Sequence, residues 1–235
     1  MDSGGFKIGI FDSGKGGLSI VQALKKLSQQ SGNELDIDFF ADTNHFPYGT
    51  KTKEELEQII RHNIHSLVQR GARCIIVACN TASIAGRHIY PKLEQELKIP
   101  ILRVAESINK NHQSNRIMVI GTNFTILSSY YQDKLKKTPE TALVSFSFLP
   151  LADAIENEDQ DAIEKHLQTV KKYIEEYTCD AVLLGCTHYS LIHEKFRSLL
   201  PAVTIMDPSW ETARLFINQV LPQIIATDSH PEPAS

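Results

Sequence analysis

Two habits of apolar spacing alternate along this chain. Short runs rich in β-branched and aromatic residues, FKIGIF (6–11), DIDFFAD (36–42) and CIIVACN (74–80), are each succeeded by a longer stretch: LSIVQALKKLSQQ (18–30), KEELEQIIRHNIHSLVQRG (53–71) and ASIAGRHIYPKLEQEL (82–97). In the longer stretches apolar positions recur every three or four residues, the spacing of one face of a helix, whereas the short runs have the length and residue types of strands. Strand, helix, strand repeated in this way predicts a parallel sheet covered by helices. A second series begins with IPILRV (99–104) and RIMVIGTN (116–123) and runs through TILSSYYQDKLKK (125–137) and ALVSFSFLP (142–150). It continues through the charged helix EDQDAIEKHLQTVKKYIEEY (158–177), DAVLLGC (180–186) and a last helix to AVTIMDPS (202–209). The expected fold is therefore α/β, in two similar Rossmann-like units with mostly parallel sheets and a cleft between them. Residues 1–100 form the first unit and 101–209 the second, with WETARLFINQVL (210–221) packing back on the first. The polar, Pro-rich tail TDSHPEPAS (227–235) has no periodicity and reads as disordered.

Composition alters this picture little. Of 235 residues, 42% are hydrophobic and 22% charged, which suits an ordinary globular protein with a sizeable core. A net charge of −4 gives no electrostatic reason to expect nucleic acid as the main partner. No apolar run approaches the ~20 residues that cross a bilayer. The start, MDSGGFKIGIF, carries an acid where a signal peptide carries basic residues, so a cytoplasmic protein with no membrane role is expected. Four cysteines, Cys74, Cys79, Cys179 and Cys186, then read as reduced thiols.

Two of them stand in matching places. IIVACNTAS (75–83) and AVLLGCTHYS (181–190) each run apolar, then cysteine, then polar. Ligands of open α/β sheets bind at the carboxyl ends of the strands, where Cys79 and Cys186 fall. Each thiol also precedes a helix start, which attracts carboxylates and favours thiolate. Cys74 and Cys179, within or before their strands, read as small buried hydrophobes. Two thiols facing each other from similar units suit the inversion of a carbon centre, in which one face loses a proton and the opposite face gains one. The Gly-rich FDSGKGGLS (11–19) lacks the ending of a P-loop and half fits a dinucleotide fingerprint. Asp12 at that strand end suits an ammonium group or a neighbouring thiol better than a phosphate. His188 lies within reach of Cys186 as its partner or as a substrate donor. His62 and His65, on a charged helix, read as solvated, and no metal site is expected. FPYGT (46–50) has the chemistry of a ligand-binding turn.

Together IGIFDSGKGGLS, ADTNHFPYGT, VACNTAS, VIGTNFTILSSYY, LLGCTHYSLI and DPSWETA resemble the glutamate racemases of the aspartate/glutamate racemase superfamily, in family order over residues 7–213. The resemblance implies interconversion of L- and D-glutamate without a cofactor, to supply peptidoglycan, and members that are often homodimers. It implies catalytic roles for Cys79 and Cys186, with Asp12 and Ser13 lining the first half-site. It likewise implies substrate binding by Tyr48, Gly49, Asn80, Thr81, Thr122, Thr125, Thr187 and His188. Asn80, Thr81 and Thr187 are suitable donors to the carboxylate of a carbanion intermediate. Ser190 stands where many relatives have proline, predicting a looser loop. Where many relatives carry a second-half-site Glu, Asp153 is the nearest match and Glu156 the next. VAESINK (104–110) differs from the small-residue turn expected there. Competing readings are a racemase of aspartate or a related amino acid, a pyridoxal-phosphate enzyme using Lys15 as its Schiff base, and a two-lobed binding protein without turnover.

Overall fold

The computed structural model describes residues 6–32, 34–108, 113–136 and 141–229. In the first lobe the elements run β1 (Lys7–Asp12), α1 (Leu18–Ser31), β2 (Asp36–Ala41), α2 (Lys53–Gln69), β3 (Cys74–Val77), α3 (Asn80–Ala85), α4 (Tyr90–Leu97) and β4 (Ile101–Arg103). In the second come β5 (Arg116–Gly121), α5 (Asn123–Leu127), α6 (Tyr130–Leu135), β6 (Ala142–Ser147), α7 (Leu149–Glu156), α8 (Gln160–Glu176), β7 (Ala181–Gly185), α9 (Thr187–Leu191), α10 (His193–Leu199) and β8 (Thr204–Met206). The chain ends with α11 (Pro208–Leu215), a π-turn over Phe216–Val220, and α12 (Leu221–Ser229). No described helix is long and apolar enough to cross a membrane.

The two sheets repeat one plan. Their strand orders are β2-β1-β3-β4 and β6-β5-β7-β8, with every pairing parallel. Parallel strands buried on both faces read as unbroken apolar runs, and β3 (CIIV) and β7 (AVLLG) are buried at every residue. The edge strands β2 and β6 are only half-buried, in keeping with their alternating polar positions. β3 and β7 hold equivalent positions next to the strand that opens each lobe. The residues at their carboxyl ends therefore occupy equivalent places in space.

Several boundaries differ from those read in the sequence. The strand Ile101–Arg103, expected in the second unit, pairs with β3 and completes the first sheet. ASIAGRHIYPKLEQEL forms two helices, because Pro91 falls in the first turn of α4, where its missing N–H is harmless, and not in a helix interior. TILSSYYQDKLKK is likewise split, between α5 and α6, at Ser129, whose φ of 56° is left-handed. α2 starts where expected, on a capping box between Thr52 and Glu55. The segment after Trp210 lies on α1: Ala213, Phe216, Ile217 and Leu221 share a core with Ile20, Leu24 and Ile76. α12 continues to Ser229, so the first three residues of the expected disordered tail are helical. Residues 230–235, and residues 109 and 110 of VAESINK, lie outside the described residues.

Candidate active site

Cys79 stands two residues beyond the end of β3 and Cys186 directly after β7, and each is the residue before a short helix, α3 or α9. Both sulfurs line one cavity between the lobes, together with Ser13, Tyr48, Gly49, Asn80, Thr81, Thr122, Thr187 and His188. Phe46 and Pro47, from the FPYGT turn, and Leu149 and Ala152, which carry no chemical signal in the sequence, complete this wall. Phe46 sets its ring 5.5 Å from that of His188. The enclosed volume is about 10 Å³, the space of roughly one water.

Glycines let the lobes come this close. A Cβ on Gly16 would lie 2.7 Å from His188 Nδ1 and from Thr187 Oγ1, and one on Gly14 would lie 2.7 Å from Glu156 Oε2. A Cβ on Gly49 would meet that of Thr122 at 2.6 Å. The Gly-rich loop after β1 is thus shaped by the opposite lobe. Hydrogen bonds cross the same seam. Thr187 Oγ1 donates to Asp12 Oδ2 at 2.8 Å, the Lys15 N–H donates to Glu156 Oε2 at 2.8 Å, and the hydroxyls of Thr81 and Thr122 meet at 3.0 Å.

The two sulfurs have unequal neighbours. Cys186 Sγ lies 3.6 Å from His188 Nδ1, and the far nitrogen of that ring lies 2.6 Å from Glu156 Oε2. Burial alone would lower the His188 pKa, but its bonds to Cys186 and Glu156 outweigh this and hold it at about 10. Glu156 is also desolvated, yet the bonds from His188 and the Lys15 N–H keep its pKa below the usual value. At neutral pH the pair is an imidazolium and a carboxylate, and an imidazolium beside a sulfur is an arrangement that activates thiolates. Cys79 Sγ lies 3.8 Å from Ser13 Oγ. Its thiol is pushed well above the ordinary range, first by burial and then by the negative charge of Asp12. Cys79 therefore carries a proton at rest.

Other expected residues fall one layer back or outside. Asp12 is fully buried behind Ser13, bonded to Thr187, to the Gly14 N–H at 3.0 Å and to Ser13 Oγ at 3.4 Å, and burial raises its pKa. Thr125 supports the cavity wall from behind, accepting from Thr122 Oγ1 at 3.2 Å. Tyr48 turns its hydroxyl away to Asp42 at 2.6 Å, where Asn63 Nδ2 also meets it at 3.0 Å. The acid on His188 is Glu156, not Asp153. The sequence match favours Asp153, but Glu156 at the end of α7 is the residue whose carboxylate reaches the ring. Ser190 does not loosen its loop. It is buried, donates to Asp207 Oδ1 at 2.7 Å and meets Ser209 Oγ at 3.1 Å. The Lys15 ammonium points outward to Glu158 Oε1 at 2.8 Å, away from the cavity. His62 and His65 are exposed, and Cys74 and Cys179 pack in the cores of the first and second lobes.

Known proteins resemble this chain over most of its length. The family model Asp/Glu/Hydantoin racemase matches residues 8–216. A glutamate racemase from Limosilactobacillus reuteri (strain DSM 20016) is 34% identical over 215 residues, spanning 88% of this chain and 78% of that protein. The glutamate racemase isoform RacE1 from Bacillus anthracis superposes with a TM-score of 0.74 at 30% identity, covering 94% of this chain and 82% of that one. A glutamate racemase from Francisella tularensis subsp. tularensis SCHU S4, solved in complex with D-glutamate, gives 0.75 at 29% identity over 93% of this chain and 82% of that one.

Proposed function

We infer that this chain, which belongs to the Asp/Glu/hydantoin racemase family, interconverts L- and D-glutamate by proton transfer between Cys79 and Cys186 across a planar intermediate. The observation that carries the reading is the pair of sulfurs at equivalent strand ends of two like sheets, both lining one small cavity. A base on one face and an acid on the other is what inversion at carbon requires. Cys186, beside the His188 imidazolium and Glu156, is the sulfur placed to take the α-proton, and Cys79, buried against Ser13 and Asp12, the one placed to give a proton. An enantiomer whose α-hydrogen faces Cys186 loses it there and receives the Cys79 proton on the opposite face. The other enantiomer is served after the proton has moved to Cys186.

The α-hydrogen of an amino acid is weakly acidic, so the site must stabilise charge that develops on the carboxylate. Asn80 Nδ2, the Thr81–Thr122 hydroxyl pair, Ser13 and the amides opening α3 and α9 supply donors around the cavity. Exclusion of water strengthens each of these interactions. A cavity of about 10 Å³ is far smaller than glutamate, so the lobes part to admit it and close around it. The product, D-glutamate, supplies peptidoglycan synthesis.

Circular dichroism of L- and of D-glutamate incubated in D₂O with wild type, Cys79→Ser and Cys186→Ser tests this reading. The expected result is decay of both signals with α-deuterium incorporation, lost with either substitution. Decay of aspartate with glutamate inert would overturn the substrate; full activity in either serine variant would overturn the two-thiol mechanism.

A further inference from the structure

Asn80 has two unlike ends. Its side-chain oxygen accepts a short hydrogen bond from the Tyr131 hydroxyl. Its amide nitrogen is buried without a partner among the described residues, in a residue that is 2% exposed and lines the cavity between the sulfurs. An unpaired buried donor is costly, so its persistence calls for an acceptor that arrives with the ligand. The two ends of an asparagine amide have nearly the same shape, and a half-turn exchanges them. Only neighbours decide which end faces the cavity.

Tyr131 makes that decision. Fully buried, it has its pKa pushed well above the ordinary value, chiefly by desolvation. Its hydroxyl therefore keeps its proton and acts as a donor. A donor that claims the Asn80 oxygen leaves the Asn80 nitrogen for the cavity. The partners come from opposite lobes, Asn80 opening α3 behind β3 and Tyr131 in α6 behind β5. Asn80 is thus held in one orientation when the lobes are together. We propose that Tyr131 is a positioning residue whose hydroxyl fixes the Asn80 side chain so that its N–H is presented to a carboxylate of the amino-acid substrate. The assignment rests on the racemase reading for the identity of that substrate.

Tyr131→Phe keeps the ring in its slot and removes the hydroxyl. The expected outcome is a roughly tenfold fall in kcat/KM for glutamate, carried mainly by KM, because a carboxylate contact is made in the ground state as well as the transition state. In an Asn80→Ala background the same substitution should change kcat/KM less than twofold, since the group through which Tyr131 acts is gone. A purely structural tyrosine would cost the same in both backgrounds, and that result overturns the proposal, as does an unchanged KM in the single variant. Asn80→Asp keeps an acceptor for Tyr131 while replacing the donor with a charge. Its KM should rise at least about a hundredfold, and a wild-type KM there is equally fatal. Calorimetric binding of D-glutamate supplies a readout free of turnover, with Kd about tenfold weaker in Tyr131→Phe. Wild-type protein that binds glutamate but does not racemise it overturns the racemase reading and leaves this comparison of Kd values to decide the proposal. Failure of wild type to bind glutamate overturns both.

Discussion

Replacing Glu156 by Gln removes one negative charge and little else. The amide oxygen can still accept from His188 Nε2, 2.6 Å away in the parent, and from the Lys15 N–H at 2.8 Å. The gap between about 10 and the ordinary 6.5 for His188 corresponds to about 5 kcal/mol of preference for the imidazolium. Burial opposes that preference, while Cys186 and then Glu156 supply it. Assigning somewhat under half to Glu156, about 2 kcal/mol, puts the His188 pKa of Glu156→Gln one to two units lower, at about 8 to 9. The imidazolium beside Cys186 then begins to discharge within the working range. In the racemisation assay, monitored by circular dichroism between pH 6 and 11, the alkaline limb of kcat/KM should move toward neutrality by the same amount. At pH 8 the rate should fall no more than about twofold, and at pH 10, where the parent imidazolium is itself half discharged, roughly 5- to 50-fold. Enantiomers have equal free energy, so kcat/KM must fall equally from the L and the D side. An alkaline limb that stays in place, with only the plateau lowered, would refute the link from Glu156 through His188 to Cys186.

Gly16→Ala puts a methyl 2.7 Å from His188 Nδ1 and Thr187 Oγ1, so the lobes cannot close; kcat/KM should drop at least about a hundredfold with a nearly unchanged unfolding temperature, and activity within threefold of wild type would contradict that closure. Thr187→Val takes a hydrogen bond from the buried Asp12 carboxylate. Urea unfolding should show a loss of about 2 kcal/mol where Asp12 is ionised and a smaller one as pH falls through its pKa, which burial raises. Stability should also carry the signature of the His188–Glu156 pair. His188 lies above its unfolded value, so its contribution is complete below about pH 6.5 and lost as pH rises through about 10. Glu156 lies below its unfolded value, so its contribution is complete above about pH 4.5 and lost as pH falls through its depressed pKa. Thermal unfolding across pH 3 to 11 should show both limbs in wild type, whereas Glu156→Gln should lose the acid limb and keep a smaller alkaline limb moved toward neutrality.

Much of the scaffold is legible in the sequence because buried parallel strands must be apolar throughout, and CIIV and AVLLG are. The repeated strand–helix rhythm puts them at matching sheet positions, so the two sulfurs pair on sequence grounds alone. Ile101–Arg103 is harder to assign because a three-residue strand has too little pattern to say which sheet it joins. The acid at the second sulfur is ambiguous because Asp153 and Glu156 lie three apart, on adjoining parts of one helix face. Side-chain reach at the end of α7 selects Glu156, and that depends on where α9 lies. Tyr131 closes the VIGTNFTILSSYY segment, but nothing in the sequence gives its hydroxyl a role. A tyrosine in YYQDKL reads as core, and its hydroxyl acquires a purpose only when another lobe brings Asn80 to it.

The unequal surroundings of the sulfurs bear on how the protein behaves under sustained one-way flux. With Ser13 and Asp12 on one side and His188 with Glu156 on the other, the two unliganded forms, proton on Cys79 or proton on Cys186, differ in free energy. Each conversion in a given direction leaves the chamber in the form suited to the opposite enantiomer. Before the next molecule can be turned over the same way, the empty chamber must exchange protons with solvent. At high substrate concentration that resetting, and not the chemistry at carbon, becomes the slow event. A substrate offered from one side would then be handled more slowly than a mixture of both, and the difference between the two forms could be read from how far the mixture outruns the pure enantiomer.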